Sequence, residues 1–510
     1  MNWRRERDSN PRGELLPPID LANRPLQPLG YLSKSVSSSD LADRCRIISV
    51  KVLRSETISN WVNSSRRLPD RHGLWFKLFG VLVVFAMFFT IAWGRLDPDF
   101  GWHLVTGRYI IAHGIPRHDF YTYTARGHPW VDHEWGSDII QALLYRIGGY
   151  LFDALFFAII WTAAVMVYGW RAKLWVVFLA ALAILPYAGI RPIAWSVLFF
   201  AICLKVLRKG NRRYIWFLPL LFMFWANLHA GFIAGLGLVA YFAFLKRSRY
   251  LAGILLLSAG ATLINAYGIG LYREIGSTIF DPQIHNQIVE WRRFFIPPSS
   301  IPYILAWVIG FIFFARTKWR EWLGVGPVLL VATLAASRNL PLLVVATLGD
   351  LHVYWRRVFD FLPKQKFLFG RVIFNLSRLL VVLGVFIIAT LSIPNTNRLH
   401  NYPIAEVSYL RRHPCTGNLF NSYDYGGYLI WKLPNQPVFI DGRMVTWINH
   451  MDDYESIVNH PAANYRSQFN KYNIKCALLD RDATKLTSAL TKNGWITVVS
   501  SNKSVLLTAP

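Results

Sequence analysis

The sequence predicts an α-helical polytopic membrane domain of about eleven transmembrane helices, followed by a small C-terminal α/β soluble domain. Three observations predict the class. The 510 residues are 54% hydrophobic with a mean hydropathy of +0.30, and only 16% are charged, against roughly a quarter in soluble domains. Apolar runs approaching the roughly 20 residues of a span recur between short basic loops. Beyond residue 393 they give way to short alternating runs of strand and helix character. A formal charge of +26 would suggest nucleic acid in a soluble protein. Here Lys and Arg are dispersed in short loops, as the positive-inside rule requires, so membrane lipids are expected as partners and nucleic acid is not.

Residues 1–73 are polar, lack periodicity and carry no signal-peptide core, so they read as a disordered basic tail or an extension from a start site placed too far upstream. Arg5 to Arg12 and Leu26 to Ser33 look like translated antisense tRNA, which favours the second reading. The first helix then acts as an uncleaved signal anchor. Candidate spans within 74–392 run near 74–93, 151–170, 174–189, 192–207, 214–229, 231–245, 250–266, 301–315, 322–337, 339–354 and 372–392. Arg66, Arg67, Arg71 and Lys77 precede the first. Alternate loops then carry Arg171 and Lys173, Lys205 to Arg213, Lys246 to Arg249, Arg316 to Arg320, and Arg356 to Arg371. This predicts a cytoplasmic N-terminus and, with an odd number of spans, an extracytoplasmic domain at 393–510, in a cell (inner or plasma) membrane.

Two long loops, 94–150 and 267–300, fall on the external side. They are semi-apolar and contain helical stretches, 103–113 and 137–147 in the first, which suits chain lying along the membrane surface. In the C-terminal domain, strands are expected at 417–422, 437–441, 475–480, 495–500 and 504–508, and helices at 425–433, 452–459, 462–472 and 484–493. Cys415 and Cys476 could pair if this domain is extracytoplasmic. Asp441-Gly442-Arg443 and Asp424-Tyr425-Gly426-Gly427 read as turns, or as groups facing the membrane domain.

Acids, histidines and arginines gather on the outer face. Asp97 and Asp99 open the first loop, with His103 four residues on; Glu134 follows later in that loop; Glu290, Arg292 and Arg293 lie in the second; Arg191, His229 and Arg338 sit at short outer turns. Ionisable groups at membrane depth are costly and mark function by default, and Arg binds phosphate as a bidentate fork. Each has a plainer reading. An Asp-Pro turn can end a helix. His103 can be an interfacial residue beside Trp102, His229 can cap its turn, Arg191 and Arg338 can snorkel to headgroups, and Glu290 and Arg292 can belong to a surface helix. Asp97 and Asp99 are the candidates for catalysis; His103, Arg191, His229, Glu290, Arg292 and Arg338 are the candidates for substrate binding. The two acids could begin, but not complete, a divalent-cation site, so a metal is left open and no other cofactor is expected.

Asp97-Pro98-Asp99-Phe100-Gly101-Trp102-His103-Leu104, Gly114-Ile115-Pro116, Trp130 to Trp135, Asn265-Ala266-Tyr267-Gly268, Asp424 to Leu429 and Phe439-Ile440-Asp441-Gly442-Arg443 resemble a group of bacterial membrane proteins placed with the GT-C superfamily of integral-membrane glycosyltransferases. The resemblance covers nearly all the chain after residue 74. It implies sugar transfer from a polyprenyl-phosphate-linked donor to an extracytoplasmic glycan, lipid or protein acceptor, with inversion and a first-loop acid as base. The sequence has Asp-Pro-Asp where the mannosyltransferase and aminoarabinose-transferase branches carry Asp-Glu. The alternative is a non-catalytic transporter or scaffold of cell-envelope polysaccharide assembly; a transporter would be expected to show internal repeats and midplane ionisable groups, and neither is evident.

Overall fold

The computed structural model describes residues 71–280, 288–315, 319–361, 399–443 and 448–510. The membrane-type part contains α1 (Arg71–Gly94), α2 (Phe100–His113), α3 (Trp135–Gly169), α4 (Leu174–Ile184), α5 (Ile193–Lys209), α6 (Leu218–Leu228), α7 (Phe232–Lys246), α8 (Arg249–Thr262), α9 (Gly270–Phe280), α10 (Ile301–Ala315), α11 (Val325–Ala335) and α12 (Leu340–Phe361). Every predicted span from 74–93 to 339–354 coincides with helix, and the expected span at 372–392 lies outside the described residues. Among the described residues, three helices are long and apolar enough to cross a membrane: Lys77–Gly94, Trp135–Gly169 and Pro298–Ala315. The expected eleven is therefore not reached on that criterion. Several apolar runs end early, for a local reason. The run at 174–189 leaves α-helix at Ile184 and tightens to a 3-10 turn, Leu185–Tyr187, where Pro186 has no N–H to give a continuing helix.

The apolar faces divide in two. Trp161, Phe200, Trp225, Trp307 and Leu348 are buried between helices, while Leu82, Phe244, Leu256, Ile309 and Val331 are exposed. Such a belt would be a liability in water and matches hydrocarbon in a bilayer. The loop helix expected at 137–147 and the span expected at 151–170 are joined as α3, kinked where Gly149 takes φ 64°, a conformation glycine adopts without a Cβ clash. Just past the kink, Tyr150 donates its hydroxyl to the Ala92 and Arg95 carbonyls at 2.7 and 3.1 Å. That satisfies orphan acceptors at the end of α1 and ties the two helices where the first loop begins.

The C-terminal part comprises α13 (Ile404–Arg412), β1 (Asn418–Asn421), α14 (Gly426–Lys432), α15 (Ile448–Asn459), α16 (Pro461–Lys471), β2 (Ile474–Asp480), α17 (Thr484–Lys492), β3 (Ile496–Ser500) and β4 (Ser504–Thr508). The sheet order is β1-β2-β4-β3, with β1 and β2 parallel and the other pairs antiparallel. Leu419, Phe420, Leu478, Leu479, Leu506 and Leu507 form its buried apolar layer. Cys415 and Cys476 are joined by a disulfide with Cα atoms 6.1 Å apart. The run expected as a strand at 437–441 is not in this sheet. Val438 instead pairs with the first loop, accepting from Tyr123 N–H at 3.2 Å and donating to the Tyr121 carbonyl at 3.0 Å.

That pairing belongs to a larger seam. Tyr123 donates to the Leu419 carbonyl, Thr124 to that of Phe439 and Tyr402 to that of Leu96. Helix α2 meets α14 through glycine: a Cβ on Gly101 would lie 2.0 Å from the Gly427 carbonyl, and one on Gly427 2.2 Å from that of Pro98. At the centre, buried Arg443 takes Asp441 on two nitrogens at 2.9 and 2.7 Å and Asp119 of the first loop at 2.8 Å. Its guanidinium stacks 4.7 Å from the Tyr121 ring and 4.5 Å from Trp130. Thus Asp441 and Arg443 are structural groups of the seam, each charge met by an opposite one.

Candidate functional site

The site is built where six connections between helices meet. After α1 the Asp-Pro-Asp turn closes on itself: Asp97 Oδ1 accepts from Asp99 N–H at 3.0 Å, an Asx-turn that starts α2. Asp99 stands at the N-cap position with no side-chain capping bond. Its Oδ1 accepts instead from the Trp102 indole at 2.9 Å. The same carboxylate lies against Gly442, where an added Cβ would come within 1.8 Å of Oδ1. The C-terminal domain therefore reaches the first acid directly, through a residue with no side chain.

One small cavity of about 80 Å³ is bordered by Asp97, Asp99, His103, Glu134, Arg191, His229, Glu290 and Arg338. The structure thus brings together every predicted site residue except one. Arg292 is exposed and does not line the cavity, because the chain leaves a short 3-10 turn at Trp291 in extended conformation and carries Arg292 outward. Asp281 and His285 lie outside the described residues.

One side of the cavity is cationic. Arg191 is held between Asp97 Oδ2 at 3.2 Å and Glu290 Oε1 at 2.6 Å. Burial works to raise the Glu290 carboxyl, but Arg191 outweighs it and holds it below its usual range. Arg338 stacks 4.3 Å from the Trp291 ring centre. Among the described residues no carboxylate stands within 4.0 Å of its guanidinium. Burial, with the charge of Arg191 added, lowers its pKa. It is the cation of the group least compensated by acid.

The other side centres on Glu134, which sequence reasoning left in the first-loop inventory and out of the candidate set. It stands at the N-cap position of α3 and is approached by three imidazoles: His229 Nε2 at 3.4 Å, His103 Nε2 at 3.5 Å and His133 Nε2 at 3.7 Å. His103 Nδ1 is 2.6 Å from buried Asp138. At His229 the Gly231 N–H donates to Nδ1 at 2.9 Å, and Ser196 Oγ also meets Nδ1 at 2.7 Å. Nδ1 is therefore the acceptor and a neutral His229 carries its proton on Nε2, facing Glu134. Burial, then Arg338, depress His229 well below its usual value, and the same causes put His133 at about 4. The signal that could have found Glu134 is its place: an acid between His133 and Trp135, immediately before the helical stretch expected at 137–147.

Two carboxyls are pushed apart. Burial, reinforced by Asp97, raises Asp99 to about 6. Burial raises Glu134 further, to about 8, against the opposing influence of His103. At neutral pH Asp99 is mostly ionised and Glu134 mostly protonated, so one accepts a proton while the other can donate. A divalent cation fits poorly. Asp97 is committed to Arg191 and its own turn, and among the described residues no group of three or more metal-ligating side chains is arranged to hold an ion.

No family model matches the chain, and no curated protein matches it. Among solved structures, it is similar to the crystal structure of ArnT from Cupriavidus metallidurans bound to undecaprenyl phosphate, with a TM-score of 0.41 and 14% identity over 85% of this chain and 99% of that one. It is similar to the apo structure of the same protein at the same TM-score and identity, over 86% and 99% of the two chains.

Proposed function

We propose that this chain is a GT-C-type membrane glycosyltransferase that moves a sugar from a polyprenyl-phosphate-linked donor to an extracytoplasmic acceptor with inversion, Asp99 serving as base. The observation that carries the reading is a half-buried carboxyl, Asp99, in one cavity with Arg338, a cation with no carboxylate within 4.0 Å among the described residues; burial and the neighbouring Asp97 hold that carboxyl near 6. In the transfer, Asp99 takes the proton of an acceptor hydroxyl as its oxygen bonds to the anomeric carbon. The bond from that carbon to the phosphate oxygen breaks, and its electron pair leaves with the polyprenyl phosphate. Arg338 and Arg191 stabilise the charge that grows there. Asp97 is a positioning residue, since its carboxylate holds Arg191. Protonated Glu134, braced by His103 and neutral His229, supplies a hydrogen-bond donor on the opposite wall.

The cavity of about 80 Å³ is smaller than the roughly 300 Å³ at which ligand pockets begin, so the reading requires the wall to open for donor and acceptor. The orientation that goes with it has the N-terminus cytoplasmic and the C-terminal domain outside, which the Cys415–Cys476 disulfide supports because such bonds persist in oxidising compartments. The test is sugar transfer from a polyprenyl-linked donor in proteoliposomes. Asp99→Asn should lower kcat by at least a hundredfold with the fold intact; unchanged transfer removes Asp99 from catalysis.

A second reading is a non-catalytic scaffold of envelope-polysaccharide assembly. It is favoured by Arg191 being already paired with both Asp97 and Glu290, as in an ion network that serves the fold. It requires no transfer with any polyprenyl-linked donor, while Asp97→Ala still disturbs folding.

A further inference from the structure

A second cavity, of about 360 Å³, lies between α3, α5 and α12. Its position follows from two shared helices. The carboxylate–arginine site sits at the N-terminal ends of α3 and α5, beside Glu134 and Ile193; this cavity sits at their C-terminal ends, beside Trp170 and Lys209. The 17 residues of α5 make a rod of about 25 Å, so the cavities open towards opposite faces of the membrane.

The charged lining among the described residues is Arg171, Lys205, Arg208, Lys209 and Asp350, four cations to one acid. Asp350 meets Arg208 at 3.0 Å, and the Arg208 side chain is only 13% exposed. The guanidinium also stacks 5.4 Å from the Tyr168 ring, so its place in the wall is fixed before any ligand arrives. Lys205 donates to the Val167 carbonyl at 2.8 Å, at the fraying end of α3. Four converging cations repel one another, and one carboxylate does not balance them. The rest of the wall is apolar or aromatic, including Met166, Trp170 and Val353. A charged group with a hydrocarbon tail meets both kinds of surface; a free metabolite meets only one.

We propose that this cavity binds the phosphate of an anionic membrane lipid, on the face opposite the carboxylate–arginine site. Basic pockets between transmembrane helices bind anionic lipid head groups, and here the cations stand beside an apolar flank. The proposal is independent of the sugar-transfer reading, since it uses none of the residues of that site.

The competing explanation is diffuse attraction between orienting charges and any anionic surface. The experiment separates the two. The full chain in neutral detergent is titrated with phosphatidylglycerol, with phosphatidylcholine as control, and bound lipid is read by native mass spectrometry. Lys205→Gln/Lys209→Gln should weaken phosphatidylglycerol binding at least tenfold. Arg212→Gln/Arg213→Gln removes the same charge from the same face outside the cavity and should change it less than twofold. Equal losses in both, or no loss in the first, overturn the site. Asp350→Asn removes the one lining acid, keeps an acceptor for Arg208 and should strengthen binding, a gain that misfolding cannot produce; weaker binding by a folded variant counts against the proposal. Inorganic phosphate is the last arm. No displacement at millimolar concentration supports the lipid; displacement keeps the phosphate site and overturns the lipid as its source.

Discussion

Glu134 offers a test of the electrostatics that does not depend on substrate. Its side chain is 12% exposed, and burial lifts its carboxyl from an ordinary 4.5 to about 8. At 1.36 kcal/mol per unit, ionising it inside the folded protein costs on the order of 5 kcal/mol as an upper bound, and roughly half that if the site relaxes. The sign follows from proton binding. Below pH 4.5 both folded and unfolded states hold the proton, and Glu134 adds no pH-dependent penalty. Between about 4.5 and about 8 the unfolded chain releases it while the folded protein keeps it, so stability falls as pH rises and levels off above the folded value. Glu134→Gln keeps the shape and the donor and has no proton to release. Thermal unfolding of purified wild type and variant, followed from pH 5 to pH 9, should show the variant gaining on wild type through that window by several kcal/mol. A constant difference across the range would mean that Glu134 is ionised throughout, paired to protonated His103 or His229, and the acid–base division of the cavity would fall.

Three further outcomes follow from the same geometry. The pH profile of kcat/KM should be bell-shaped, rising as Asp99 ionises near pH 6 and falling as Glu134 ionises near pH 8; Glu134→Gln should remove the alkaline limb alone. Gly442→Ala places a Cβ about 1.8 Å from Asp99 Oδ1 and should cost transfer at least tenfold while circular dichroism is unchanged; full activity would show that Asp99 can move without loss. Arg443→Gln leaves Asp119 and Asp441 buried with their shared cation gone, a loss of about 3–5 kcal/mol, and limited proteolysis should then release the C-terminal domain faster than in wild type.

Much of the fold was legible because it is written locally. Spans follow from runs of apolar residues, and the helices and strands after residue 400 follow from periodicities of 3.6 and 2, which is why β2, β4 and α17 fall where they were expected. The grouping of acids and cations was legible for a similar reason: once spans are placed, alternate turns must share a face. Within that face, sequence could place Asp97, Arg191, Glu290 and Arg338 on one side of the membrane but could not say which of them touch. That depends on how helices from distant parts of the chain pack, and packing depends on side-chain shape through space.

Three particulars show the difference. Val438 has the alternation of a sheet strand, yet its partner is Tyr121–Tyr123 of the first loop, because β-propensity specifies an extended segment and leaves the neighbouring strand unspecified. Arg292 and Arg338 were both candidates for substrate binding, and an extended backbone at the residue after Trp291 turned Arg292 away from the cavity. Glu134 looked like one more acid of the first loop until α2 and the turn at His229 brought the imidazoles of His103 and His229 to it. The sequence by itself determined the membrane class, the approximate place of most elements and the gathering of acids and cations at one end of the helices, since each is a property of consecutive residues. Only the tertiary structure decided which carboxyl is desolvated, which arginine is already paired and which glycine lets the C-terminal domain close on Asp99, since burial and contact arise between residues the chain holds far apart.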